Sequence, residues 1–292
     1  MLTCSERWMM DYQPYVDHLN ELVHALVHGD ESAAAFDAEA VSEALHDGAS
    51  AALRHLVALQ DRRPAGAFFT SSVLADLAWA PLLPTIGESS VIVDPACGAG
   101  SLLIPGLRAL LRHGDPLKVA AQLRGRDLEG TFVEAARARL LLTVASCRPG
   151  LAPRDLAGLR FPGVQQGDGL AQMQRLLDGA THVTLSPPYA PVTAPEGCPW
   201  ASGEITRAAL FTDAAVSHMP TDARMVAILP KELRRGRRYA KWRAAIRHMA
   251  NIDHVTPWGA ADSHTHEEVF LMYVTKRGAK KGGGGLARRR PL

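Results

Sequence analysis

The sequence predicts an α/β protein built on a mostly parallel sheet with an antiparallel edge. Three observations predict it. From residue 91 onward, short apolar runs alternate with segments of helical periodicity. Two of those runs end in turns of unusual composition, Asp94-Pro95-Ala96-Cys97-Gly98-Ala99-Gly100 and Ser186-Pro187-Pro188-Tyr189. The last two runs follow one another with no obvious helix between them. Alternating strands and helices cover a parallel sheet on both faces, and such sheets bind ligands beyond the carboxyl ends of their strands.

Taken in order, residues 11–62 read as helical, because Tyr15, Leu19, Leu22, Val23 and Leu26 recur at three- and four-residue steps, as do Val41, Leu45, Ala49, Leu53 and Leu56. This gives a small N-terminal helical cap over residues 1–64. Ala67 to Ser72 then leads into an apolar helix, Val73 to Ala80, with Thr70 or Ser71 as its N-cap. The strands expected are 91–94, 122–127, 163–167, 182–186, 224–229, 252–256 and 269–275. The helices expected are 101–112, 130–146, 170–177, 207–219 and 239–250, which places the sheet domain at 65–277. Residues 278–292, with Gly282 to Gly285 and Arg288 to Arg290, read as a flexible basic tail.

Composition narrows the function classes. Hydrophobic residues at 47% and charged residues at 21% allow a substantial core, so a globular protein is expected. No apolar run is long enough to span a bilayer, and the N-terminus lacks the basic-then-apolar pattern of a signal peptide. Cys4, Cys97, Cys147 and Cys198 are too widely spaced for a disulfide framework or a CxxC pair, which suits a reducing cytoplasm. The net charge of +2 says little about partners, but Arg234, Arg235, Arg237, Arg238, Lys241, Arg243 and Arg247 crowd one stretch. That stretch reads equally as phosphate-contacting surface and as the solvated face of a helix. His264-Thr265-His266-Glu267-Glu268 is not an HExxH zinc helix and has no cysteine near it, so it reads as a polar loop and no metal is expected.

Gly98 and Gly100 supply the turn that lets backbone approach a ligand closely. A bare strand-to-helix connection would look similar, but three acidic strand ends accompany it. Asp94, Asp127 and Asp168 close successive strands, and their carboxylates can accept hydrogen bonds from an ammonium, a ribose diol and an adenine amino group. The GxGxxG fingerprint of a dinucleotide site is absent.

On these residues, DPACGAG resembles motif I of the Rossmann-like, class I S-adenosylmethionine-dependent methyltransferases, with spacing similar to the adenine-specific DNA methyltransferases of restriction-modification systems. The stretch from Gly66 to Thr70 resembles their motif X. The resemblance covers Ala67 to Lys276 and implies S-adenosylmethionine as cofactor and DNA as substrate. It implies that Thr70 and the motif I turn (Asp94, Ala96, Gly98, Gly100) contact the methionine moiety, Asp127 the ribose hydroxyls and Asp168 the adenine amino group.

An exocyclic amino group is a poor nucleophile because its lone pair is delocalised into the ring. Two acceptors that bind its two hydrogens direct that lone pair at an electrophilic methyl. The Ser186 hydroxyl and the Pro187 carbonyl offer such a pair, Pro187 and Pro188 stiffen the turn, and Tyr189 can stack on an extruded base. The tetrapeptide resembles motif IV of the same family, where adenine enzymes carry Asn or Asp first and serine is more familiar in cytosine-N4 enzymes. Motif order, with the cofactor motif before the catalytic motif and motif X in front, resembles the adenine-directed gamma group. Adenine N6 is therefore the expected target and cytosine N4 the alternative. RNA, a protein glutamine amide, or a binding subunit without turnover remain further readings. The loop after Tyr189 is too short for a target-recognition domain, so either a separate specificity subunit is the partner that supplies recognition or the enzyme has little sequence preference.

Overall fold

A computed structural model describes residues 4–28, 38–58, 62, 69–260 and 268–278. The stretch 66–68, the histidines of 264–266 and the basic tail beyond 278 lie outside the described residues. At the N-terminus α1 (Cys4–His28) is followed by α2 (Ala38–Glu43), a π-helical turn (Ala44–Gly48) and α3 (Ala49–Leu56). Next comes α4 (Ser72–Trp79), whose N-cap is Ser71, accepting from the Leu74 amide at 3.4 Å. Of the two N-cap candidates this selects Ser71 and leaves the Thr70 hydroxyl for another partner.

The sheet elements then run β1 (Ile92–Asp94), α5 (Leu103–Leu110), α6 (Pro116–Ala121), β2 (Leu123–Asp127), α7 (Gly130–Cys147), α8 (Pro153–Gly158), β3 (Val164–Gln166), α9 (Met173–Leu176) and β4 (His182–Leu185). A hairpin of β5 (Pro191–Thr193) and β6 (Glu204–Thr206) leads into α10 (Arg207–His218), β7 (Arg224–Pro230), α11 (Ala240–Met249), β8 (Ala250–Ala260) and β9 (Glu268–Lys276). The hairpin, α6 and α8 fall where the sequence suggested only connections.

The sheet order is β3-β2-β1-β4-β7-β9-β8. β1 to β4 and β7 are parallel, while β9 is antiparallel to both β7 and β8. The chain therefore winds outward from β1 to β3 and returns to place β4 on the other side of β1. That reversal opens a crevice between the carboxyl ends of β1 and β4, the usual ligand position in a doubly wound sheet.

Side-chain alternation separates two cores. Ile92, Val226, Ile228, Leu271 and Tyr273 face one layer, in which Tyr12, Leu19, Leu53, Trp79 and Leu140 are buried. Val93, Val183, Met225, Ala227, Phe270 and Met272 face the other, with Phe211, Trp242 and Ile246. This is the period of two that a strand buried on both faces imposes. The N-terminal helices share the first core with the sheet, so they form part of that layer and not a separate nucleus.

Candidate functional site

The crevice is built first by the turn after β1. Asp94 is buried, and its Oδ1 accepts the Ala96 amide at 3.0 Å. Burial, offset in part by that bond, pushes its carboxyl up to about 7. Gly98 and Gly100 have φ of 49° and 79°, in the left-handed region that favours glycine. A Cβ on Gly98 would stand 2.7 Å from the Phe69 ring, so the turn and the segment before α4 close on each other. A Cβ on Gly100 would stand 3.2 Å from that of Ala136 in α7, which makes its role helix packing.

The other strand ends are tied to this turn. Asp127 accepts the Gly98 amide at 2.9 Å through Oδ2 and the Glu129 amide at 3.1 Å through Oδ1. Desolvation nevertheless raises its carboxyl to about 6. Asp168 is exposed and uses Oδ1 to accept the Leu170 and Ala171 amides at 2.8 and 3.0 Å. Beside it, Gly169 leaves no room for a side chain, because a Cβ there would lie 1.8 Å from the Pro95 carbonyl oxygen.

From the far side, β4 delivers Ser186 and Pro188. The Thr70 hydroxyl donates to Ser186 Oγ at 3.0 Å, which joins two residues 116 positions apart. The cavity between them is about 390 Å³ and is lined by Thr70, Asp94, Ala96, Gly98, Asp127, Asp168, Ser186 and Pro188. Gly100 and Pro187 line neither this cavity nor the next one. Sequence reasoning missed Leu128, Glu129, Phe132, Arg207 and Phe211, which also line it. Leu128 and Glu129 follow Asp127 directly and could have been included. Arg207 and Phe211 reach the cavity only because the β5–β6 hairpin turns the chain back, as the Arg207 amide bonded to the Ala190 carbonyl at 2.9 Å shows.

Tyr189 stands apart. Its hydroxyl donates to the Ile228 carbonyl at 3.1 Å, and its backbone carbonyl accepts the Thr206 hydroxyl at 3.0 Å. It walls a second, more polar cavity of about 410 Å³ with Glu204, Lys231, Glu232, Arg238, Tyr239 and Glu268. Lys231 and Glu268 form an exposed ion pair at 2.7 Å there.

The aromatic residues of the following segment are structural. Trp242 donates to the Ala209 carbonyl at 3.0 Å, and the Tyr239 hydroxyl accepts the Thr206 amide at 3.0 Å. Among the described residues, no three of His, Cys, Asp or Glu converge to hold a metal ion. No helix among them is long and apolar enough to cross a membrane.

No family model matches the chain, and no curated protein matches it. Solved structures do. A protein described as a class I S-adenosylmethionine-dependent methyltransferase from Listeria monocytogenes superposes with a TM-score of 0.59 at 14% identity, over 95% of this chain and 89% of that one. The type IIL restriction-modification enzyme MmeI, solved with DNA, gives 0.58 at 13% identity over 79% of this chain and 40% of its own. A protein described as a modification subunit of a type I restriction enzyme from Vibrio vulnificus YJ016 gives 0.55 at 15% identity over 78% and 49%. The chain thus spans less than half the length of these last two proteins. At such identities the likeness is one of fold, and the fold is the class I methyltransferase sheet.

Proposed function

We propose that this chain is an S-adenosylmethionine-dependent methyltransferase acting on an exocyclic amino group in DNA, with adenine N6 as the favoured target. One observation carries the reading: Asp94, Asp127, Asp168 and Ser186 line one cavity at the point where the sheet reverses its winding order. The cavity's chemistry fits the cofactor. Among the described residues the carboxyl side chains of Asp94, Asp127, Glu129 and Asp168 line it with one cation, Arg207, a balance that favours a ligand bearing an ammonium and a sulfonium. Asp127 keeps acceptor capacity beyond its backbone amides for a ribose diol, and Asp168 has Oδ2 for an adenine amino group. Leu128 and Leu170 offer apolar surface to a flat ring.

Asp94, Asp127 and Asp168 would hold S-adenosylmethionine, which would supply an activated methyl group for the amino nitrogen, whose displaced proton would pass to water. The chain's own part is to orient the amino group through Ser186 and the Pro187 carbonyl. Tyr189 would hold the base from the second cavity, with its ring fixed through Ile228. Service in a restriction-modification system, with a second polypeptide reading sequence, belongs to the same proposal. Serine in place of Asn or Asp favours one alternative target, cytosine N4.

Calorimetry with S-adenosylmethionine, followed by labelled methyl transfer to duplex DNA and base analysis of the product, tests the reading. Binding and N6-methyladenine are expected. No binding by the folded wild-type chain, with DNA present, would overturn it, and N4-methylcytosine as product would replace the target.

A further inference from the structure

We propose that Thr70 is the positioning residue for Ser186, so that a threonine–serine hydroxyl pair stands where one longer polar side chain would otherwise present the acceptor to the target amino group. The inference rests on the methyltransferase reading above. It starts from a bond between two positions that no local pattern links, Thr70 Oγ1 to Ser186 Oγ at 3.0 Å. A serine oxygen has two lone pairs and one rotating proton, and its side chain can occupy several staggered positions. The Thr70 donor occupies one lone pair and fixes the oxygen, which leaves the other lone pair to accept from a substrate nitrogen. The pair faces the cavity that holds the glycine turn, since both residues line it.

Thr70 is itself held by the N-terminal helices. It is buried, with 8% of its surface exposed. The residue before it is anchored by the Ser50 hydroxyl, which donates to the Phe69 carbonyl at 3.2 Å. Two residues on, Asp47 of the π turn accepts the Ser72 amide at 3.1 Å and the Ser72 hydroxyl at 3.3 Å. Ser71 between them is committed to capping α4. The segment is thus pinned on both sides of Thr70 by residues of one small region, Asp47 to Ser50, and that rigidity passes to Ser186 through a single hydrogen bond. Under this assignment the N-terminal helices set the geometry of the catalytic turn without touching substrate, and the Thr70 hydroxyl serves Ser186 in preference to the cofactor.

The test is a double-mutant cycle of Thr70→Val and Ser186→Ala in the full chain, with Thr70→Ser as the conservative control. Labelled S-adenosylmethionine and mixed-sequence duplex DNA are the probes, and kcat, cofactor Kd and Tm are read for each variant. Thr70→Val should lower kcat by about tenfold or more while cofactor Kd stays within about twofold. Thr70→Ser should recover most of the rate. In the Ser186→Ala background, Thr70→Val should have no further effect on kcat, and the two Tm shifts should not add. Independent losses in kcat, or a Kd that weakens in step with kcat, would overturn the assignment and return Thr70 to the cofactor. Additive Tm shifts would overturn the pair even if the enzyme proves active. A wild type that neither binds S-adenosylmethionine nor transfers from it defeats the functional reading instead, and the Tm cycle then decides the pair by itself.

Discussion

Asp94 and Asp127 each bind a proton more tightly in the folded chain than in the unfolded one. Burial raises them from an ordinary 3.8 to about 7 and about 6. The folded state therefore carries extra protons between those limits, and these groups make the ligand-free chain less stable as pH rises through that window. Asp94→Asn mimics the protonated form, so the variant should melt above the wild type at pH 8 and converge with it toward pH 4, read from Tm across pH. A wild type that gains on the variant as pH rises would contradict the shift. A positively charged ligand reverses the preference, so S-adenosylmethionine should bind more tightly above about pH 7 and release protons when it binds at pH 6, which calorimetry in buffers of different ionisation heat detects. Tyr189 gives a second residue-level expectation. Tyr189→Phe loses the bond to Ile228, about 1 kcal/mol, and should keep much of the methyl transfer, whereas Tyr189→Ala should lose it with cofactor Kd unchanged. Equal rates for the wild type and Tyr189→Ala would refute a stacking role. Asp94 could be read from the sequence because it follows an apolar run, and Asp127 and Asp168 because they close the next two expected strands. The Thr70–Ser186 contact could not, since it depends on how two distant segments fold together.

At the scale of elements, the N-terminal helices are held to the glycine turn by Arg139 of α7. This side chain is fully buried, and among the described residues no carboxylate forms an ion pair with it. It donates instead to the Ala44 and Leu45 carbonyls of the π turn at 2.9 and 3.2 Å, to the Ala99 carbonyl at 2.6 Å and to Ser101 Oγ at 3.1 Å. Burial lowers its pKa, and the convergent oxygens explain why a cation is tolerated there. Arg139→Met roughly keeps volume but removes the guanidinium donors from its four acceptors, of which Ala44 retains the Tyr15 hydroxyl, and this should cost about 3 kcal/mol and loosen the turn enough to weaken S-adenosylmethionine binding. Denaturant unfolding with parallel calorimetry measures both, and a variant with unchanged midpoint and Kd would dismiss the staple. The long periodic stretches and the longer strands were legible in the sequence, because β7 and β9 bury both faces and the helices carry continuous apolar stripes. The short elements were less so. β5 and β6 have three residues each, and the loop between them holds proline and glycine with no alternation. α6 does carry a start signal, Asp115 as N-cap with Pro116 first, but is only six residues long. Arg139 is the clearest loss, because a charged residue in a helix pattern reads as solvent-facing and only the tertiary arrangement supplies its four acceptors.

For the molecule as a whole, the basic stretch after β7 divides into two groups with different work. Arg243 donates to the Leu233 carbonyl at 3.2 Å and also to the Gly236 carbonyl, and Arg238 donates to the Glu204 carbonyl at 2.8 Å. These two hold the loop and the hairpin in place. Arg235, Arg237, Lys241 and Arg247 are exposed. Lys231, Glu232 and Arg238 of the same stretch border the cavity that Tyr189 walls, so a duplex presenting a base to Tyr189 would pass the exposed cations. Phosphate contacts of this kind give affinity without sequence information and release counterions when they form. The chain is therefore expected to bind duplex DNA with little preference among sequences and with an affinity that falls steeply with salt. Replacing Arg235 and Arg237 together by Ala should reduce the slope of log K against log salt by about 2 while Tm stays near that of the wild type. Arg243→Ala should do the reverse, lowering Tm by loosening the loop and leaving the slope nearly unchanged. Fluorescence anisotropy across a salt series, paired with thermal melts, separates the two groups. An unchanged slope in the Arg235 and Arg237 variant would show that the solvated helix face, and not phosphate contact, accounts for this charge.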